Sequence, residues 1–449
     1  MKQNNTFFKT VCSLAVPVTL QSMLQSSFGI VDQIMIGQLG DSNVAGVGFA
    51  TKFASIYSVL ISAIGAVAGI MISQYIGQKN NTEVKKSFYT NLKVGLGIAF
   101  IFFFASLFFS SIIMGIYTKD KVACQIASTY LLYISFTFIP LAGTTMISTL
   151  MRCMNNAKLP LYASIVCALL NTGLNYILIF GNLGVSPMGV KGAAVATVIS
   201  QGLNLLIMII FFIKHNYFIA EKDSSSICSP IKGNWQQYLT ILFPILVCEF
   251  AWSLGENVYA AIYGHIGTDA SAAMTLTGPI QGLLIGALCG LSQAASIIIG
   301  KKLGNKDYED AYTSGKKLLI YGLIGATILS AIVLLTRSFY VQIYDVDSAV
   351  KAITSNILIA YALIAPFKVL NMIIGGGIIR SGGKTKYVMY IDLIGTWCIG
   401  VPLGLFAAFA LKLSIPYVYF ILSLEECVRF FISLIVFRQR KWMRQLKTT

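Results

Sequence analysis

Charge is scarce in this sequence. Charged residues are only 11% of its 449 residues, while 56% are hydrophobic. A soluble chain uses roughly a quarter charged residues to cover its surface, so an ordinary water-soluble protein is excluded. Disorder is excluded too, because so much apolar and aromatic surface must be buried in protein or in lipid. Histidine is nearly absent, with only His215 and His265; in HIGTD, His265 and Asp269 read as a turn at a helix end. The nine cysteines form no CxxC pair and no Cys/His cluster, so no disulfide framework or zinc site is implied. Cys167, Cys289 and Cys398 lie in apolar runs and read as small buried hydrophobes. There is no GxxxxGK phosphate loop, HExxH helix or GxSxG elbow. These absences argue against nucleotide hydrolysis and against an enzyme, with no cofactor implied, so energy for any work must come from an ion gradient. The GGG at 375–377 reads as close helix packing or a flexible break.

What is present is apolar sequence in long runs. A bilayer core about 30 Å thick takes about 20 residues of helix. Twelve runs qualify: 11–37, 46–75, 88–117, 124–150, 160–182, 189–213, 238–264, 272–299, 317–344, 352–379, 388–411 and 414–437. The amino terminus enters the first run without a small-residue cleavage site, so that run is expected to stay in the mature protein. These features predict an all-α integral membrane protein. An even number of spans puts both termini on one side. Of the 33 Lys and Arg residues, 24 fall on that side and 7 on the other, with Lys368 and Arg429 inside spans. The positive-inside rule then makes both termini cytoplasmic in a multi-pass plasma-membrane protein. The net charge of +16 sets topology and touches anionic lipid, so no nucleic-acid partner is implied.

The sequence also matches itself at an offset of 227 residues: Pro17 meets Pro244, Gly37 meets Gly264, Gly40 meets Gly267, Gly77 meets Gly304 and Lys79 meets Lys306. At 228, Arg152 meets Arg380. This predicts two six-helix lobes, 1–213 and 238–449, the second ending in a basic cytoplasmic tail, joined by a cytoplasmic linker over 214–237. Six spans per half give the lobes one orientation, related by a pseudo-two-fold along the membrane normal. Such a bundle can enclose a cavity and rock between inward-open and outward-open forms. A duplicated scaffold without transport is the alternative, marked by tolerance of Asp32→Asn.

Ionisable residues inside spans are costly and so point to function. Gln21, Gln25 and Asp32 share one helical face. Asn171 and Asn175 offer amide oxygens one turn apart. Glu249, Ser253 and Glu256 make a second stripe. Asp392 and Lys368 read as a structural bridge, and Glu425, Glu426 and Arg429 as a local ion pair. A carboxylate in a low-dielectric cavity can load and release a proton or hold sodium where neutral oxygens complete the shell. A cation there would compete with an organic cation, which is a physical basis for antiport.

The segments PVTLQSMLQSSFGIVDQIMIGQLGDSNVAGVG, QYIGQKN, LMRCMNNAKLPLYASIVCALLNTGLNYILIFGNLGV, GVKGAAVATVISQ, GLSQAASIIIGKKLGN and IIRSGGKT resemble the multidrug and toxic compound extrusion (MATE) family over nearly the whole chain. The resemblance implies a twelve-helix exporter of organic, often cationic or amphiphilic, compounds in exchange for sodium ions or protons. It implies a cation-coupling site of Asp32, Asn171, Asn175, Ala193, Thr197 and Glu249, of which Asp32, Asn171, Asn175 and Thr197 would hold sodium. Asn175 stands where many members carry a second aspartate. Pro17 matches the hinge proline of the first helix, with Pro244 its repeat equivalent. Substrate-cavity candidates are Gln21, Gln25, Ser253, Glu256 and Asn371, the last being the nearest polar residue where one branch has an acid. The chain is expected to act as a monomer on small organic substrates. A lipid-linked oligosaccharide flippase of the same superfamily is the runner-up; it would need basic cavity residues, and Lys368 stands almost alone. A membrane-embedded transferase would need a clustered polar site at a membrane face.

Overall fold

The computed structural model describes residues 2–215, 235–344 and 346–448. Most of the expected 214–237 linker therefore lies outside the described residues. Helix accounts for nearly all the rest, with no strand among the described residues. Each of the first eleven apolar runs becomes one helical span. The first half holds α1 (Lys2–Gly37), α2 (Asp41–Gly77), α3 (Asn81–Tyr117), α4 (Lys121–Cys153), α5 (Lys158–Phe180) and α6 (Val190–Lys214). The second holds α7 (Trp235–Ile266), α8 (Thr268–Gly304), α9 (Tyr308–Gln342), α10 (Ser348–Ile379) and α11 (Thr385–Ala410). The twelfth run forms α12 in two pieces, Ile415–Ser423 and Glu425–Arg438. The first eleven are each long and apolar enough to cross a bilayer, so this is a multi-pass membrane protein. Several run to 35–37 residues, well beyond the 20 or so that the hydrocarbon needs.

Local chemistry sets the helix ends. The Asn80 side chain accepts from the Glu83 amide at 3.1 Å and starts α3, and Asp120 accepts from Val122 at 2.8 Å and starts α4; both satisfy orphan N–H groups. Gly181, at φ +77°, closes α5 in the left-handed conformation that favours glycine. α1 passes through Pro17 as one helix.

Contacts divide the chain into two compact units that differ from the sequence halves. One comprises residues 20–72 and 80–232; the other takes 1–19 and 73–79 together with 233–449. In the first unit, Tyr57 is fully buried against Phe102 and Phe138 and donates its hydroxyl to the Phe138 carbonyl. In the second, the end of α2 lies on the end of α8. A Cβ on Gly77 would strike the Lys301 backbone, and one on Gly304 would strike the Gln74 backbone. Position 301 is position 74 shifted by the repeat offset, so the crossing is self-complementary and only glycine permits it.

The carboxy-terminal segment folds back onto this second unit. Trp442 is fully buried and stacks on Phe437. The Gln74 amide donates to the Ser381 carbonyl at 2.6 Å, and its oxygen accepts from the Leu446 amide at 2.7 Å. Large apolar side chains such as Ile101, Phe108, Ile116, Leu335 and Phe339 face outward, as a lipid-exposed surface requires.

Candidate functional site: two polar cavities

Each unit contains a polar cavity of its own. The first, about 190 Å³, lies among α1, α5 and α6 and is lined by Gln25, Asp32, Asn171, Thr197, Gln201 and Asn204 with apolar neighbours. Asn175 donates to Asp32 at 2.6 Å and to Asn171 at 3.2 Å. Asn171 lies 3.4 Å from the Thr197 hydroxyl, which itself donates to the Ala193 carbonyl at 3.0 Å. The structure thus brings together Asp32, Asn171, Asn175, Thr197 and Ala193, with the Ala193 carbonyl already engaged by Thr197. Rotating the Asn171 amide by half a turn lets its nitrogen donate to both Asp32 oxygens, at 3.0 and 3.2 Å. The buried Asn175 amide oxygen has no hydrogen-bond partner. Gln21 is buried below this cavity, donating to Ser164 at 2.8 Å and accepting from Arg152 at 2.7 Å.

The second cavity, about 330 Å³, lies among α7, α10, α11 and α12 and carries full charges: Glu249, Lys368, Arg380, Asp392, Glu426 and Arg429 line it, along with Asn371 and Trp252. Arg380 reaches Glu249 at 3.4 Å and Asp392 at 4.0 Å. Arg429 pairs with Asp392 and reaches Glu426 at 3.5 Å. Asn371 donates to the Glu426 carboxylate at 2.8 Å and to the Glu426 carbonyl at 2.7 Å. The α10 backbone widens to i→i+5 bonding over Met372–Ile379, between Asn371 and Arg380. A π turn takes up one inserted residue and often marks a site. The repeat offset grows from 227 at Gly304 to 228 at Arg380, across that interval. Gly377, whose Cβ would meet the Ser292 carbonyl at 2.7 Å, shows the GGG run serving close packing.

Several expectations are corrected here. Asp392 does not bridge to Lys368 but pairs with Arg429 and Arg380. Lys368 and Arg380 lie twelve residues apart, about 18 Å along the helix axis, and Asp392 is at the Arg380 end. Glu425 does not pair with Arg429; it is buried and accepts from the Tyr259 hydroxyl at 2.9 Å, while Glu426 makes the ion pair. Ser253 and Glu256 do not line the cavity, and Glu256 is exposed. Cys398 is exposed rather than buried. Lys368 is not nearly alone among basic residues, because Arg380 and Arg429 share its cavity. Arg380 looks topogenic in the sequence, at the end of a span. Its alignment with Arg152 was the available signal, since each arginine bonds a residue 131 positions earlier, Gln21 or Glu249.

The sequence model of the MatE family matches residues 17–177 and again 244–406. The two matches begin at Pro17 and Pro244, the offset at which the chain matches itself. The chain belongs to the MatE family. This MatE chain is 24% identical over 441 residues to an uncharacterized transporter, YisQ, of Bacillus subtilis, covering 96% of this chain and 94% of YisQ. It is 24% identical to the probable multidrug resistance protein NorM of Pasteurella multocida, covering 88% and 85% of the two chains. Among solved structures, the bent form of the Vibrio cholerae MATE transporter VcmN superposes with a TM-score of 0.88 at 18% identity, covering 98% of each chain. A MOP superfamily transporter from Pyrococcus furiosus superposes at 0.87 with 18% identity, covering 96% of this chain and 95% of that one. These structures share the MATE fold with this MatE protein.

Proposed function

We propose that this MatE protein is a secondary multidrug efflux antiporter of the plasma membrane. It exports small organic, often cationic or amphiphilic, compounds by alternating access, and a cation that binds at Asp32 drives the exchange. Both termini face the cytoplasm, and the working unit is a monomer. The observation that carries this reading is the first cavity: a single carboxylate in an apolar span, ringed by two asparagine amides and a threonine hydroxyl. The NorM name of several relatives supports the substrate class.

The coupling ion in this reading is sodium. A proton needs only the carboxylate, whereas hard cations prefer a shell of oxygens. Asn171, Asn175 and Thr197 supply neutral oxygens that a proton would not need. Glu249 has a guanidinium beside it that already neutralises it, which makes it the weaker of the two coupling candidates. Pro17, inside α1 near residue 19 where the compact units divide, serves as the hinge, and Pro244 is its counterpart.

The test is ethidium efflux from proteoliposomes under an imposed sodium gradient or, separately, an imposed proton gradient. Sodium-driven efflux that Asp32→Asn abolishes and Glu249→Gln retains is the expected result. If neither gradient moves ethidium, or if both variants match wild type, the antiport reading fails.

A further inference from the structure

After α12 ends at Arg438, the chain leaves the helix and runs as a strap across the end of the second unit. Two apolar anchors hold it, Trp442 and Leu446, both buried. Three glutamines fasten the backbone around them. The Gln74 amide nitrogen donates to the Arg444 carbonyl at 3.1 Å as well as to that of Ser381, its oxygen accepts from the Leu446 amide, and Gln78 donates to the Leu446 carbonyl at 3.0 Å. Gln445 of the strap donates to the Gly304 carbonyl at 2.7 Å. The strap is thus bonded to both sides of the α2–α8 crossing, through Gln74 and Gln78 at the end of α2 and through Gly304 at the end of α8. Its seat is cut to fit, since a Cβ on Gly382 would strike the Trp442 carbonyl. The fastening is not duplicated: at the repeat offset Gln78 meets Asn305, whose amide turns to Asp307 in its own loop.

What holds the strap decides how it can leave. Most of its bonds run between glutamine amides and backbone groups at helix ends, and water replaces bonds of that kind at small net cost. An apolar seam in the same place would resist wetting. Gln74 is fully buried while the strap is seated, and its amide is ready to be hydrated once the strap lifts. We propose that the strap, residues 440–447, is a latch: seated, it keeps the α2–α8 crossing closed, and its release lets that crossing open to water at the cytoplasmic face. The inference deepens the efflux reading and rests on it, through alternating access and cytoplasmic termini, for the place of the latch in the transport cycle.

The test is maleimide labelling of Ser73→Cys, a buried position packed against Gly300 inside the crossing. It is read by peptide mass spectrometry on the full-length protein in detergent, with the native buried Cys153 as internal control. Lifting of the strap is followed separately as trypsin cleavage after Lys441 and Arg444, whose side chains are exposed on the seated backbone. Gly382→Ala pushes on the strap, to which the nearest atoms its Cβ meets all belong. It should speed both cleavage and labelling at position 73 at least about ten-fold, as local opening does, with Cys153 unchanged. Gln445→Ala removes one strap bond and should act in the same direction more weakly; if Gly382→Ala does not fold, Gln445→Ala decides by the same criteria. Labelling at position 73 that stays slow while trypsin removes the strap overturns the proposal. So does equal acceleration at positions 73 and 153, which marks general loosening, and so does a strap that neither variant lifts. In proteoliposomes running sodium-driven ethidium efflux, labelling at position 73 should exceed its resting rate, and an unchanged rate while efflux runs also overturns the latch. Absence of any efflux fails the antiport reading alone, because the comparison in detergent uses neither gradient nor substrate.

Discussion

The two cavities are built on the same half-sequence, and they solve the problem of polarity in a membrane in opposite ways. The first spends one formal charge, Asp32, and surrounds it with neutral amides and hydroxyls. The second carries six charges and satisfies five of them pairwise. A carboxylate with neutral partners stays available to an exchanging cation. Carboxylates fixed by guanidinium groups do not, because removing either partner strands the other in a medium that solvates it poorly. The comparison extends to a single pair: Arg152 bonds the Gln21 amide, and Arg380 bonds the Glu249 carboxyl group, each 131 positions earlier. At the repeat offset Asp32 falls opposite Tyr259, whose hydroxyl instead serves Glu425 on the last helix.

The comparison is sharpened most strongly at Arg380. Replacing it by methionine strands Glu249 and half of Asp392, and should destabilise the protein by about 3–5 kcal/mol, read as a lowered unfolding midpoint in detergent; adding Glu249→Met should recover part of the loss. An unchanged midpoint would mean that the network contributes no stability. Arg152→Met breaks a bond to the neutral Gln21 amide rather than to a carboxylate, and should lower the midpoint less than Arg380→Met. If the two arginines cost the same, the contrast between the cavities is wrong. Under the proposed sodium coupling, Asn175→Asp puts a second carboxylate beside Asp32 and should lower the half-saturating sodium concentration for efflux several-fold. No change there would place the sodium elsewhere. The smallest effect is expected at the surface, where Glu309→Gln removes the exposed pair with Arg440 and should leave the unfolding midpoint indistinguishable from that of wild type.

Most of the fold was legible, because span length and apolar periodicity are local properties. The run at 46–75 became Asp41–Gly77 and that at 388–411 became Thr385–Ala410. Much of the first site was legible too, since Asn171 and Asn175 are one helical turn apart and Asp32 is a lone acid in a span. The second site was less so. Its partners come from four helices, and the relation of Asp392 to Arg429 rather than Lys368 depends on heights along α10 that a linear sequence does not display. Arg380 was hidden for another reason: a basic residue at a span end looks like a topological marker.

The sequence by itself determined that this protein spans the membrane, that it is duplicated, which family it resembles, and where its first acid lies. All of these follow from hydrophobic runs, offsets and single positions. Only the tertiary structure decided which acid faces which base and that the end of α2 groups with 233–449. It likewise decided that Lys368 shares its cavity with Arg380 and Arg429. These depend on side chains from distant segments converging within about 4 Å, a distance at which electrostatics in a low dielectric outweighs any local preference.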